Sequence, residues 1–181
     1  MNRILLSLLV ATVLTTTSCD KDNPTAFSFT NDYAEFTIQV DPTTAQGEID
    51  MGTIEFETDV QGLVADNGVS IDNLNSVKIK AVKLTINDSN NPPYSFDLTS
   101  KINAGIGNLS GTSLIEFAKK DPVPTGGLNT IDLDVSDIEL LSYFKQSKFK
   151  FKLSGFTTAP IDHAFEVKIG LTVKFEGEVI K

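Results

Sequence analysis

Residues 165–175, Phe165-Glu166-Val167-Lys168-Ile169-Gly170-Leu171-Thr172-Val173-Lys174-Phe175, alternate apolar and polar positions without a slip. A period of two puts every second side chain on one face, so six apolar residues line one side of a strand and the other side faces water. Residues 148–153 repeat the pattern, with Phe149, Phe151 and Leu153 facing in and Lys148, Lys150 and Lys152 facing out. Further upstream, Phe36, Ile38 and Val40 alternate with Glu35, Thr37 and Gln39, and Ile54, Phe56, Thr58 and Val60 read as another strand. Tyr94-Phe96-Leu98, Leu114 to Ala118, and Ile131-Leu133-Val135 add shorter ones. One run changes phase: Val77-Ile79-Ala81 passes directly into Val82-Leu84-Ile86, which predicts a β-bulge near Ala81 or a strand crossing between two sheets.

Turn chemistry separates these runs at Asp41-Pro42, Asp66-Asn67-Gly68, Asn87 to Pro93, Asp121 to Pro124, Gly126-Gly127 and Ala159-Pro160. Ser136-Asp137-Ile138-Glu139 has the form of a capping box, and Ile138, Leu141 and Phe144 then share a face. This predicts one short helix near 137–145, with a weaker helical turn over 70–75. Seven to nine short strands over about 150 residues with little helix predict an all-β chain, a single antiparallel β-sandwich of immunoglobulin-like or Greek-key type. The expected organisation is a signal peptide over 1–18, a flexible tether over 19–31 and the sandwich over 32–181.

The chain of 181 residues is 40% hydrophobic and 22% charged, enough for one sizeable core. Its 15 basic and 24 acidic residues leave a net charge of −9, and Arg3 is the single arginine, so the attraction on which nonspecific nucleic-acid binding depends is missing. One His (His163) and one Cys (Cys19) leave few of the residues from which metal centres and nucleophilic catalysts are built, and the absence of Trp argues against the aromatic platforms of a glycosidase or an ordinary carbohydrate-binding module. The expectation is a protein without cofactor or nucleic-acid partner, and not an enzyme.

The N-terminus reads Met1-Asn2-Arg3, an apolar run from Ile4 to Leu14, then Thr15-Thr16-Thr17-Ser18-Cys19. A positive start, an apolar segment of about 11 residues and small residues before a cleavage point form a secretory signal, shorter than the ~20 apolar residues of a spanning helix. Cys19 directly after that segment resembles the lipobox of bacterial lipoproteins, although Thr16 stands where Leu is usual. The resemblance implies cleavage before Cys19, acylation of its thiol and anchorage to a membrane. The following Asp20-Lys21-Asp22 resembles the export signal that carries Bacteroidota lipoproteins to the outer face of the outer membrane, with the periplasmic side as the other destination. At the level of pattern, residues 70–176, including Ile71 to Ile86, Tyr94-Ser95-Phe96, Leu128 to Val135 and Lys148 to Gly155, resemble Bacteroidota-type outer-membrane lipoproteins with a β-sandwich domain. That likeness contains no catalytic motif, so it implies location and fold only.

Candidate chemistry is thin. Asp132 with Asp134, and Glu55, Glu57 with Asp59, are acid pairs on outward strand faces, whereas a glycosidase needs carboxyls facing each other across a cleft. Asp66-Asn67-Gly68 and Asp88-Ser89-Asn90-Asn91 offer oxygen ligands for calcium, and Asx residues also favour turns for local reasons. His163 lies in a turn, with no Gly-x-Ser-x-Gly elbow in the chain. Charge is distributed unevenly: residues 19–76 hold twelve acids against Lys21, a local net of −11, while residues 145–181 hold seven lysines against four acids, a local net of +3. Lys148, Lys150 and Lys152, joined by Lys168 and Lys174, are therefore a candidate patch for an anionic envelope partner, a glycan or a protein, and lysines on an edge strand also discourage sheet-to-sheet pairing. The functional expectation is a lipid-anchored, non-catalytic envelope binding or accessory module, with a carrier or sensor holding a hydrophobic or lipid ligand between the sheets as the alternative.

Overall fold

The computed structural model describes residues 24–90, 93–111 and 113–179. The signal peptide, Cys19 and Asp20-Lys21-Asp22 lie outside the described residues. Among the described residues nine strands form two antiparallel sheets: β1 (Thr25–Val40), β9 (Phe165–Val179), β3 (Leu74–Asn87) and β6 (Thr130–Asp132) in the order β1-β9-β3-β6, and β2 (Gly47–Glu57), β8 (Lys148–Thr157), β4 (Thr99–Gly107), β5 (Ile115–Lys120) and β7 (Asp134–Val135) in the order β2-β8-β4-β5-β7. The sandwich expected from the alternating runs is the observed fold, and its two clearest sequence strands, β8 and β9, sit in the interior of opposite sheets.

β9 buries Phe165, Val167, Ile169, Leu171, Val173 and Phe175 against the other sheet, which answers with Phe149, Phe151 and Leu153 of β8 and Phe117 of β5. Burial of this kind is the main favourable term in folding, about 25 cal/mol for each Å² of apolar surface removed from water. The phase change in β3 is a bulge: Ile79 pairs with Val173 and Ala81 with Thr172, so Lys80 is the extra residue and the strand stays in one sheet.

Five local expectations are corrected. Thr25 to Asn31 belong to β1 rather than to a tether, because Phe27 and Phe29 pack on the core, with Phe29 stacked on Phe175 at 5.1 Å. Val60 does not extend β2. Asp59 caps α1 (Val60–Asp66) by accepting from the Gly62 N–H at 3.0 Å, and Val60 and Val64 turn inward from the helix. Residues 96–98 form a 3-10 turn rather than a strand, capped by Ser95, and the real strand is β4 just beyond.

The fourth correction concerns Ser136 and Glu139. The Ser136 N–H donates to the Phe117 carbonyl, Leu140 N–H to that of Val77, and Glu139 Oε1 accepts from the Val77 and Leu141 N–H groups at 2.8 Å each. This segment therefore makes a tight turn, with the Ile138 N–H on the Ser136 carbonyl at 2.9 Å, and is tied to Val77 of β3, and the helix, α2, is the single turn Leu141–Phe144. Burial opposes the Glu139 charge. The backbone N–H groups of Val77 and Leu141 outweigh that cost and hold its carboxyl below the ordinary range. Ile131-Leu133-Val135, read as one strand, changes sheets: β6 pairs with β3, β7 pairs with β5, and the Leu133 N–H bonds to Val82 in the crossing.

Candidate functional site

The outer face of the second sheet joins charges that the sequence keeps about a hundred positions apart. β2 lies antiparallel to β8 with Glu57 opposite Lys148 and Glu55 opposite Lys150. Lys148 Nζ is 2.6 Å from Glu57 Oε1 and Lys152 Nζ is 2.7 Å from Asp50 Oδ2, while Lys150 donates to the Gly111 carbonyl at 3.3 Å. The hydrogen bond to Glu57, and then its charge, raise the Lys148 ammonium above its ordinary value. The acidic early segment and the basic late one are thus complementary neighbours, and cross-strand opposite charges favour this register over a slipped one.

β9 belongs to the other sheet, so Lys168 and Lys174 look out from the opposite side of the molecule, and Lys174 pairs with Glu176 at 2.6 Å. The five lysines do not form one patch. Nor is β8 an edge strand, since β2 and β4 flank it.

Beside these ion pairs the outer face sinks into a groove of about 350 Å³ between β2 and β5. Its floor is β4 and β8, where Asn103 stands opposite Ser154 and Gly105 opposite Lys152. Gly105 places no side chain there, which opens the floor. Glu48 and Asp50 form one wall, Leu114 and Glu116 the other. Asn103 Oδ1 is shielded from solvent and has no hydrogen-bond partner among the described residues, an uncommon state for a buried acceptor. Phe156, the next outward position after Ser154, is 48% exposed, although the other eleven phenylalanines pack in or against the core.

A second cluster ties the loops at the end of the sandwich away from Thr25. The Asp88 side chain, 1% exposed, accepts from the N–H groups of Asn90 at 3.0 Å and Tyr94 at 2.8 Å, and its Oδ2 lies 2.9 Å from His163 Nε2. The Tyr94 ring stacks on His163 at 4.2 Å, and its hydroxyl accepts from the Asp162 N–H at 2.6 Å. His163 thus fastens the loop after β3 to the entry of β9. A catalytic triad needs a nucleophile on the imidazole's other side, and among the described residues this ring is held by Asp88 and Tyr94.

The calcium turns are similarly occupied. Asp88 is committed to His163 and the loop backbone, and Asn67 donates to the Leu63 carbonyl. Asn91 lies outside the described residues. Among the described residues no three His, Cys, Asp or Glu groups converge in a way that would hold a metal. Asp132 and Asp134 pair into different sheets, Asp134 with Lys120 at 3.1 Å.

No family model matches the chain, and no curated protein matches it. Solved structures with a similar backbone include the acid-stable capsid of Helicobacter pylori bacteriophage KHP30, at 9% identity over 84% of this chain and 98% of that chain, TM-score 0.33. A semi-empty particle of the Macrobrachium rosenbergii nodavirus matches at 13% identity over 99% and 97%, TM-score 0.36. The Gx strain of infectious bursal disease virus matches at 16% identity over 93% of this chain and 37% of that one, TM-score 0.35. Likeness at this level assigns no function.

The Asp88 cluster gives a pH prediction. The His163 hydrogen bond, followed by the backbone N–H groups of Asn90 and Tyr94, holds the Asp88 carboxyl far below its ordinary value of 3.8. A carboxyl depressed on folding stabilises the native state above its unfolded pKa, and that contribution is lost as pH falls through and below about 4. Urea unfolding of wild type and Asp88→Asn between pH 7 and pH 2.5 should show the variant weaker at neutral pH and the two converging in acid. Parallel curves would contradict the role given to Asp88.

Proposed function

We propose that the chain is a non-catalytic binding module held at the outer membrane by acyl chains on Cys19, with the sandwich facing out of the cell. The observation that carries this reading is the position of the single cysteine directly after a secretory apolar segment, six residues before the sandwich begins at Thr25. Six extended residues reach at most about 20 Å, so an anchored Cys19 keeps the domain against the membrane surface. Each buried CH₂ adds about 0.8 kcal/mol to membrane affinity, and two or three acyl chains hold a protein stably where one does not. Among the described residues no helix is long and apolar enough to cross a membrane, which is compatible with a lipid anchor.

The filled core supports a surface-binding module over a carrier. Phe96, Phe117, Phe144, Phe149, Phe151 and Phe175 occupy the space between the sheets, each less than 2% exposed, and the groove lies on the outside. Growth with labelled palmitate tests the anchor. Label is expected on the wild-type protein and absent from Cys19→Ala, and unlabelled wild type would overturn the reading.

A further inference from the structure

We infer that the groove over β4 and β8 binds a neutral, polyhydroxylated ligand of the glycan class, with Phe156 as its stacking surface. The inference rests on reading the chain as a binding module and is independent of the anchor. Its first support is Asn103 at the groove floor, whose Oδ1 has no hydrogen-bond partner among the described residues and whose amide, turned toward the groove, presents that oxygen to a ligand donor. The second is the mixture of hydrogen-bonding groups around it: Asn103 and Lys152 supply donors, Ser154 gives and accepts, and Glu48, Asp50 and Glu116 accept. Sugar hydroxyls donate and accept at once, so they match such a set.

Charge narrows the ligand further. Three carboxylates against the Lys152 ammonium leave the walls net negative, which disfavours an anionic ligand. Lys152 already pairs with Asp50 at 2.7 Å, so it does not offer an unneutralised positive charge. A purely cationic ligand would use the carboxylates but leave the donors of Lys152 and Asn103 facing its own donors. A neutral hydroxylated ligand meets neither conflict.

Phe156 supplies the apolar component. It stands two residues beyond Ser154 on the same face of β8, between Glu48 of β2 and Lys101 of β4, and a strand rise of about 3.3 Å per residue places it roughly 7 Å along from the groove floor. The CH face of a pyranose is of that size and can lie on a phenyl ring while its hydroxyls reach the floor. Phe therefore takes the place that the missing Trp would fill, which revises the inference drawn from Trp-free composition.

The test is equilibrium binding of fluorescent dextran, galactomannan and β-glucan to the full chain, purified from whichever cell fraction carries it, beside heparin and oligolysine. Binding to at least one neutral polysaccharide is expected, about tenfold or more weaker in both Phe156→Ala and Asn103→Ala, and absent for heparin. Phe156 is exposed, so its variant keeps the fold, and matching thermal unfolding to wild type checks this. Failure to bind any neutral polysaccharide, equal binding by both variants, or binding of oligolysine or heparin alone would overturn the assignment. The palmitate result stands or falls separately.

Discussion

Phe151→Ala is expected to destabilise the protein by about 3–5 kcal/mol, the cost of removing a large aromatic side chain from a close-packed core. Phe151 is 1% exposed at the middle of β8 and meets rings from both sheets: Phe36 of β1 edge-on at 5.1 Å and Phe117 of β5 at 5.8 Å. Phe36 in turn touches Phe56 at 5.0 Å, and Phe56 touches Phe149 at 5.1 Å, so the rings form one network across the sandwich. Truncation leaves a void that rigid neighbours on two hydrogen-bonded sheets fill poorly, and the lost contacts add to the lost burial. Urea unfolding measures the change in midpoint at constant slope. A loss below about 1.5 kcal/mol would mean that the sheets close over the void, contrary to the packing described.

Gly177→Ala is the second large effect, and its cause is crowding. A Cβ at Gly177 would land on the Asn73 carbonyl oxygen and lie 2.6 Å from Phe27 Cζ. Asn73 closes a 3-10 turn capped by Ser70, and Gly177 is itself paired on both sides, with Phe27 of β1 and Leu74 of β3, so the backbone has little freedom to retreat. Overpacking of this kind costs about 1–3 kcal/mol, and this site belongs at the upper end because the obstacle is main chain. Gly68→Ala is the control: its φ of +73° strains an alanine, but nothing lies within 4 Å of the added carbon. It should lose only about 1–2 kcal/mol. If Gly177→Ala unfolds at the same denaturant concentration as wild type, the close approach of Asn73 to β9 is wrong.

The fold was legible wherever strands bury one face and wet the other. β8, β9 and the bulged β3 announce themselves by alternation, and the phase slip at Ala81 is visible because apolar residues on either side keep their own period. β4 was not legible. Its Ile102, Ala104, Gly105, Ile106 and Gly107 are all buried, so alternation is lost, and a Cβ at Gly107 would meet Ser113 O at 2.7 Å, which explains the glycine but hides the strand. Since β4 forms the groove floor, missing it meant missing Asn103.

α1 carried a readable signal, Asp59 ahead of Val60, Leu63 and Val64 at helical spacing, masked by the Ile54-Phe56-Thr58 alternation running into it. The lysines of β8 were visible as a charged face, yet the sequence does not state which strand lies beside them. That neighbour is β2, with Glu55 and Glu57, and it turns an apparent basic patch into ion pairs. The Asp88 and His163 pairing joins residues 75 positions apart through two loops, and no local pattern encodes such a contact.

Protease shaving of intact cells, followed through a palmitate label and compared with Cys19→Ala, tests the central claim most directly. The account predicts that labelled protein is cleaved from whole cells and that the alanine variant leaves the membrane fraction unlabelled. Labelled protein that stays protected until the outer membrane is opened would contradict outward display, and unlabelled wild-type protein would contradict the lipid-anchored module itself.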